Sequence, residues 1–133
     1  MTKNPISSTA FTVSQGILHV AKQSEFGVFV PSDLVQATRK ILANSVEGRK
    51  YLRQVDTLWF KIRTLFWEHW VMPGISLHYV MRKRFIEEIT VKTIHEGSSQ
   101  VVNLGAGLDT LMLRLHQQYP KVTFIEVDRP ATS

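Results

Sequence analysis

The sequence predicts an α/β fold, in which an N-terminal cap of about four helices precedes the first βαβ unit of a Rossmann-like sheet. Apolar residues recur at three- and four-residue spacing through the first three quarters of the chain, which is typical of helices packed on a core. In the last quarter, two β-branched runs flank a glycine turn and a short helix. We therefore place the cap in residues 1–97 and the beginning of the sheet domain in residues 98–133.

Capping residues and apolar spacing predict the four helices of the cap. They run from about Ser8 to Gln23, from Ser32 to an interruption at Gly48, from Val55 to Val71 and from Ser76 to about His95. The fourth helix is expected to face a core with Val80, Phe85, Ile86, Ile89 and Ile94.

The third predicted helix is apolar on most of its sides. One stripe at helical spacing consists of Leu58, Ile62, Leu65, Phe66 and His69. Further large side chains lie off that stripe, namely Trp59, Phe60, Trp67 and Trp70. We expect this helix to be buried between other elements or covered by a partner, and its tryptophans to form core rather than a substrate site.

The last quarter of the chain predicts one βαβ unit. Gln100 to Leu104 is a β-branched strand, the helix begins at Leu111 and ends near Tyr119, and a second strand runs from Val122 to Val127. A unit of this kind needs about 30 residues and pairs its two strands in parallel.

The turn between the first strand and the helix is Gly105-Ala106-Gly107. Glycines at such a turn let a ligand approach bare backbone at a helix N-terminus, where free N–H groups favour anions. Asp128 follows the second strand, about 20 residues on, where an acid can bind ribose hydroxyls, and Glu126 shares its face. Neither Thr110 nor Met112 supplies the third glycine of the dinucleotide fingerprint. The pattern favours a nucleoside cofactor over a plain turn.

Composition excludes several classes of protein. The hydrophobic content of 44% excludes a disordered chain, and the absence of cysteine excludes disulfide scaffolds, thiolate metal sites and cysteine nucleophiles. It also fits a reducing compartment, so we expect a cytoplasmic protein. No metal-ligand spacing is present, and four charged residues within 55–72 argue against a bilayer helix.

The net charge of +5 does not predict nucleic-acid binding. Residues 1–97 hold 13 Lys and Arg against 8 Asp and Glu, which accounts for the whole excess. These basic residues are scattered, whereas a nucleic-acid footprint is a concentrated stripe. We interpret them as solvated helix faces.

Several runs of sequence together form a distinctive pattern. They are Val101-Val102-Asn103-Leu104-Gly105-Ala106-Gly107-Leu108-Asp109-Thr110-Leu111, Arg114-Leu115 and Phe124-Ile125-Glu126-Val127-Asp128-Arg129-Pro130, with Pro73-Gly74-Ile75 and His78-Tyr79-Val80-Met81-Arg82-Lys83-Arg84-Phe85-Ile86-Glu87 upstream. The pattern resembles the leucine carboxyl methyltransferase family of class I, S-adenosylmethionine-dependent O-methyltransferases. The resemblance is strong from about Pro73 to Pro130 and loose before that.

The resemblance implies S-adenosylmethionine as cofactor and assigns roles to individual residues. Gly105-Ala106-Gly107 would form the turn under the methionine and ribose portions of the cofactor, and Asp128 would hold the ribose hydroxyls. Arg82 would pair with the cofactor's carboxylate, which a guanidinium matches with two hydrogen bonds, and Arg84 is the alternative partner.

The resemblance also implies methyl transfer to an oxygen of a carboxylate or hydroxyl acceptor, which is not identified. Such transfer depends on positioning and needs no metal or covalent intermediate, so no catalytic residue is assigned. Asp109 serves either the cofactor or the helix dipole. His78 and Tyr79, close to Arg82, are the candidates for contact with the substrate.

Class I methyltransferases have a larger sheet than the two strands predicted here. We therefore expect an N-terminal part of a methyltransferase roughly twice as long, which binds its cofactor weakly or not at all and has no turnover. The unpaired edge of Val101 to Leu104 is expected to invite self-association. A non-catalytic helical interaction module and a fragment of a NAD-dependent oxidoreductase remain alternatives.

Overall fold

The structure, a computed structural model, describes residues 8–128. Its helices and strands are α1 (Ser8–Val20), α2 (Ser32–Ala43), α3 (Val46–Val55), α4 (Leu58–Trp70), α5 (Ile75–His95), β1 (Gln100–Leu104), α6 (Leu111–Gln118) and β2 (Thr123–Val127), with one 3-10 turn at Gly27–Phe29. The predicted α/β architecture, a helical cap followed by a βαβ unit, is confirmed. Ser7 and the segment after Asp128, including Arg129-Pro130, lie outside the described residues.

The two strands pair in parallel. Gln100 lies opposite Thr123 and Leu104 lies opposite Val127, while α6 connects the strands and contacts β2. The helix buries an apolar side that consists of Leu111, Met112 and Leu115. Because both strands point the same way, their carboxyl ends meet at one edge of the sheet, where the glycine turn and Asp128 are located.

The first helix is the centre of the cap. Every residue of α1 from Ser14 to Val20 is buried. On one side Phe11 and Leu18 pack with Leu42, Val55 and Phe60, and on another Ile17 and Val20 pack with Val30, Leu34 and Val80. Because α2, α3, α4 and α5 all pack against α1, this helix forms the centre of the cap's core.

The cap has five α-helices in the described residues where four were predicted, because two hydroxyl side chains begin helices that the periodicity did not separate. Ser45 Oγ accepts a hydrogen bond from Gly48 N at 2.8 Å, and Thr57 Oγ1 accepts one from Phe60 N at 3.2 Å. Each is an N-cap. The interruption predicted at Gly48 and the helix start predicted at Val55 are therefore wrong. Gly48 lies in the first turn of α3, and α4 begins after Thr57.

The prediction that α4 is buried between other elements is also wrong for the described part of the chain, and its cover by a partner stays a prediction. Phe60 is its one buried residue. The stripe expected to face a core is exposed, and Trp59 and Trp70 have 75% and 73% of their surface in solvent. The tryptophans of α4 are therefore not core.

On α5 the predicted core face is partly wrong. Val80 and Ile94 are buried, but the exposed residues include Phe85, Ile86 and Ile89. The inward face of α5 carries Lys83 and Glu87 instead, which form ion pairs with residues of the βαβ unit. The apolar spacing predicted that Ile86 and Ile89 face inward, but Lys83 and Glu87 occupy the inward face because each forms an ion pair there.

One face of the sheet is open in the described chain. Val102, Leu104, Ile125 and Val127 are paired in register on that face and are between 39% and 75% exposed. Self-association through the sheet stays a prediction. Among residues 8–128, no helix has both the length and the apolar character needed to cross a bilayer.

Gly48→Ala is expected to destabilise the protein. A Cβ at this position would overlap the carbonyl oxygen of Leu42 and lie 2.8 Å from the carbonyl carbon of the same residue. Both are backbone atoms of the protein, which cannot move aside as a side chain can. We expect the free energy of unfolding to fall by about 2 kcal/mol, the usual cost of overpacking, measured by urea titration followed by circular dichroism.

Gly16→Ala is the matched control, because its Cβ would meet the movable side chains of Tyr79 at 3.1 Å and Ser76 at 3.5 Å. A loss at Gly48 no larger than that at Gly16 would contradict the proposed backbone clash.

Candidate functional site

The candidate site is built on the glycine turn between β1 and α6. Gly105 has a φ of 70° and Gly107 a φ of 57°, which are left-handed values that side chains with a Cβ rarely adopt. Gly105 N donates a hydrogen bond to Val127 O at 2.7 Å, so the turn begins directly beyond the last pair of the sheet. A Cβ on Gly105 would meet nothing within 4 Å, which leaves the backbone there open to a ligand.

Asp128 crosses from the end of β2 to this turn. Its Oδ2 accepts a hydrogen bond from Gly107 N. The contact arises because Leu104 and Val127 are opposite each other in the parallel sheet, so that the residues after them share one edge. The acid and the glycines that the sequence singled out, with Ala106 between the glycines, are brought together here.

Asp109 has two contacts at the start of α6. Its Oδ1 accepts a hydrogen bond from Leu111 N at 3.0 Å, and its Oδ2 forms an ion pair with Lys83 Nζ at 2.9 Å. The first contact satisfies a free N–H of the helix and favours its dipole. The second ties α5 to the turn. Asp109 therefore stabilises the start of α6, which was one of its two predicted roles. Lys83, whose side chain reaches the turn from α5, was not predicted from the sequence.

Three carboxyl groups surround the turn. Burial raises the pKa of Glu126 above its ordinary value of 4.5, and the neighbouring charges of Asp109 and Asp128 raise it further. Lys83 pairs with one of the three, Asp109. Carboxyl groups this close together favour a ligand that carries positive charge.

Arg82 lies on α5, next to Lys83, but is exposed. Since neighbouring residues on a helix point about 100° apart, the side chain that reaches the turn belongs to Lys83. Arg84 contacts Glu88 at 3.7 Å and Phe29 O at 3.5 Å, away from the turn. The pairing of Arg82 or Arg84 with a carboxylate of the cofactor stays a prediction.

Arg114 holds the cap against the βαβ unit. Its Nη1 and Nη2 bind the two carboxylate oxygens of Glu87 at 2.8 Å and 2.6 Å, and Nη1 also lies 2.8 Å from Asp33 Oδ2. The Arg114 side chain is 6% exposed, and its Nε donates to Thr110 Oγ1 at 3.4 Å. One arginine of α6 thus joins α2 and α5. The Arg114-Leu115 run belongs to the family-like pattern of the sequence, and this was the signal that could have identified Arg114 as a key residue.

The electrostatics of this group are favourable. Burial acts to lower the pKa of Arg114, but hydrogen bonds and charges from Glu87 and Asp33 outweigh it and raise the pKa above its usual value. Burial likewise acts to raise the pKa of Asp33, whereas Arg114 lowers it below 3.8. Asp33 therefore stabilises the fold above its ordinary pKa, and this stability is lost as pH falls through its lower folded pKa.

A groove of about 400 Å³ lies between α1, α4 and α5. Its lining includes Thr12, Arg63, Trp67 and Tyr79. Along α5 its lining ends at Tyr79, one helical turn before Lys83. His78 is exposed, and contact of His78 or Tyr79 with a substrate stays a prediction.

The residues at the turn fit the groups of S-adenosylmethionine. The open backbone at Gly105 and the carboxylate of Asp128 suit a ribose, because ribose hydroxyls need an acceptor and close approach. The group of carboxylates suits a sulfonium and an ammonium group. Lys83 of α5 lies beside this region.

The comparison with protein families decides the relationship. The model of the family described as leucine carboxyl methyltransferase matches residues 34–133. The chain belongs to this family. The match begins within α2, so the matched residues include most of the cap as well as the glycine turn. Searches of the curated proteins and of the solved structures found no significant match.

Arg114→Ala is expected to lower the free energy of unfolding by about 3 kcal/mol, because it leaves Glu87 without its bidentate partner. The measurement is urea unfolding at pH 7. Arg84→Ala removes a solvent-exposed pair with Glu88 and should cost less than about 1 kcal/mol. Equal losses for the two variants would mean that the buried position of Arg114 has no special importance.

Glu126→Gln is expected to stabilise the protein at pH 7 by about 1–3 °C in Tm, because it removes a partly buried charge that Asp109 and Asp128 also repel. A raised folded pKa means that ionisation of Glu126 costs stability as pH rises through 4.5, whereas well below 4.5 the carboxyl is protonated in the folded and the unfolded chain alike. Most of the gain should therefore be lost at pH 4.

Thermal unfolding over this pH range checks the result, with Glu25→Gln, which is exposed, as control. A gain that persists undiminished at pH 4, or that also occurs at Glu25, would contradict the electrostatic origin.

Proposed function

We propose that the glycine turn binds S-adenosylmethionine and that this site serves methyl transfer to an oxygen of a carboxylate or hydroxyl acceptor. The observation that carries the proposal is the contact of Asp128 with Gly107 N, at a turn with two left-handed glycines. The turn lies inside the region that matches a methyltransferase family. When bound, the cofactor supplies an electrophilic methyl group on a sulfonium.

In this proposal the glycines and the acid hold the nucleoside part. Gly105 lets the ligand approach the backbone, since a side chain there would occupy the open space. Asp128 accepts hydrogen bonds from the ribose hydroxyls. A carboxylate has about four acceptor sites, so it can hold Gly107 N–H and a hydroxyl at the same time.

The methionine part is proposed to meet charges of both signs. Asp109, Glu126 and Asp128 favour its positive groups. Arg82 is proposed to bind its carboxylate, because its guanidinium is exposed on α5 and can form two parallel hydrogen bonds. Lys83 keeps Asp109 in place at the start of α6.

The protein's contribution to methyl transfer is then positioning. Aligning an oxygen with the methyl group can supply most of the rate enhancement, without a metal or a covalent intermediate. The groove between α1, α4 and α5 is open to solvent, and its accessible surface is mainly apolar although polar residues such as Arg63 also line it. It is the place we propose for the apolar body of the acceptor.

The proposal is tested by NMR titration of the 133-residue chain with S-adenosylmethionine, S-adenosylhomocysteine and NAD at millimolar concentration. Weak binding is expected, with shifts of the Gly105 and Gly107 amides caused by the two adenosyl ligands and not by NAD. Asp128→Asn should weaken binding about tenfold, because a carboxamide is a poorer acceptor for two hydroxyls.

Asp56→Asn, which changes an exposed acid outside the turn, is the matched control and should leave the titration unchanged. Shifts at the turn with NAD alone would support an oxidoreductase and overturn the proposal. Adenosyl binding that is insensitive to Asp128 would contradict the role of that acid. For the acceptor, shifts of the Tyr79 and Trp67 amides with an added apolar carboxylic acid are expected, and shifts elsewhere would contradict the groove.

A further inference from the structure

The side of α4 that faces away from the core is apolar along its whole length. This outer face of α4 consists of Leu58, Trp59, Ile62, Leu65, Phe66 and Trp70, which are between 50% and 75% exposed. Phe60, on the opposite side, is buried in the cap, and Thr64 is half-buried. The orientation of α4 is therefore set by the cap, and its outer face is directed to solvent.

The outer face has the spacing of a coiled-coil seam. Leu58, Ile62, Leu65 and His69 follow one another at intervals of four, three and four residues. This alternation places one line of side chains against a second helix packed at a shallow angle. The seam fits another helix better than it fits a flat surface.

Two charged residues beside the seam select the direction of that second helix. Lys61 and Glu68 are seven residues apart and lie on the same flank of the seam, whereas Trp59 and Phe66 lie on the other. Lys61 is exposed, while Glu68 is half-buried and its Oε1 accepts a hydrogen bond from Ser76 N, so that Oε2 is the atom left for a contact across the seam. In an antiparallel pair, equivalent flanks meet, so Lys61 of one copy approaches Glu68 of the second copy, and the two-fold axis repeats the contact. In a parallel pair, each charge would face an aromatic residue.

We propose that two copies of this chain form a two-fold dimer by antiparallel packing of α4 through Leu58, Ile62, Leu65 and His69. The charge pattern is self-complementary, as an isologous interface requires. The proposal is independent of cofactor binding, and it involves a different surface from the sheet edge.

The area of the outer face is sufficient for such an interface. At 150–250 Å² per aromatic side chain, the exposed parts of Trp59, Phe66 and Trp70 amount to about 400 Å². The three aliphatic residues add to this, so the face exceeds the patch of roughly 300–600 Å² that is usually the largest on a monomer. It approaches the area of about 800 Å² that each partner buries in an interface of standard size.

Sedimentation equilibrium of the 133-residue chain should show a dimer at micromolar concentration. Leu65→Glu puts two charges into the seam and should weaken the dimer by at least about a hundredfold. Val46→Glu is the matched control, because Val46 is 70% exposed on α3 and outside the seam. Circular dichroism establishes that each variant is folded.

The charge pair is tested by a swap. Lys61→Glu should weaken the dimer about tenfold, because attraction becomes repulsion at two symmetric positions. The double variant Lys61→Glu, Glu68→Lys should recover the original affinity. Glu68 also accepts a hydrogen bond from Ser76 N at 3.3 Å, so the Tm of each variant is measured in parallel.

Disulfide trapping determines the direction. The natural chain has no cysteine, so Ile62→Cys and Leu65→Cys each introduce one thiol. In the antiparallel dimer Ile62 faces Leu65 of the second copy, so the mixture of the two variants should form a covalent dimer much faster than either variant alone.

Several outcomes would overturn the proposal. They are a monomer at about 100 μM, a dimer unaffected by Leu65→Glu but lost on changing Val102 at the sheet, and disulfides that form equally well within each single variant. A chain that is monomeric and binds anionic phospholipid vesicles through α4 would assign the face to a membrane surface instead.

Discussion

The buried ion group of Arg114 is the interaction on which the arrangement of the molecule depends. A guanidinium with little solvent contact binds Glu87 with two hydrogen bonds and Asp33 with a third. Because these residues lie on α6, α5 and α2, one side chain defines where the cap meets the βαβ unit. Removing Arg114 leaves Glu87 largely buried without its bidentate partner, whereas Asp33 is about half exposed and can be solvated by water.

The sequence predicted the last quarter of the chain well, because its signals are local. β1 has the bounds that alternation and β-branching indicated, and the turn residues Gly105 and Gly107 have the positive φ that explains glycine there. Asp128 could be placed because parallel strands end at one edge. These features need no knowledge of what packs above them.

The cap was less predictable, because helical spacing identifies an apolar face without identifying its partner. On α5 two of the inward positions belong to Lys83 and Glu87, whose partners are distant in sequence. On α4 the most apolar stripe faces solvent, since α1 contacts the side that carries Phe60. The boundaries of α3 and α4 were set by the N-caps Ser45 and Thr57, which apolar spacing alone does not identify.

The length of α5 has an evolutionary consequence. This helix contacts the groove near Ser76, the glycine turn through Lys83 and the Arg114 group through Glu87. One inserted or deleted residue rotates everything beyond it by about 100°, so a single change of length between these points would separate later contacts from their partners. The segment from Ala21 to Pro31, where loop length costs little free energy, should accept insertions far more readily. Variation in length within the family is therefore expected to accumulate before α2 rather than within α5.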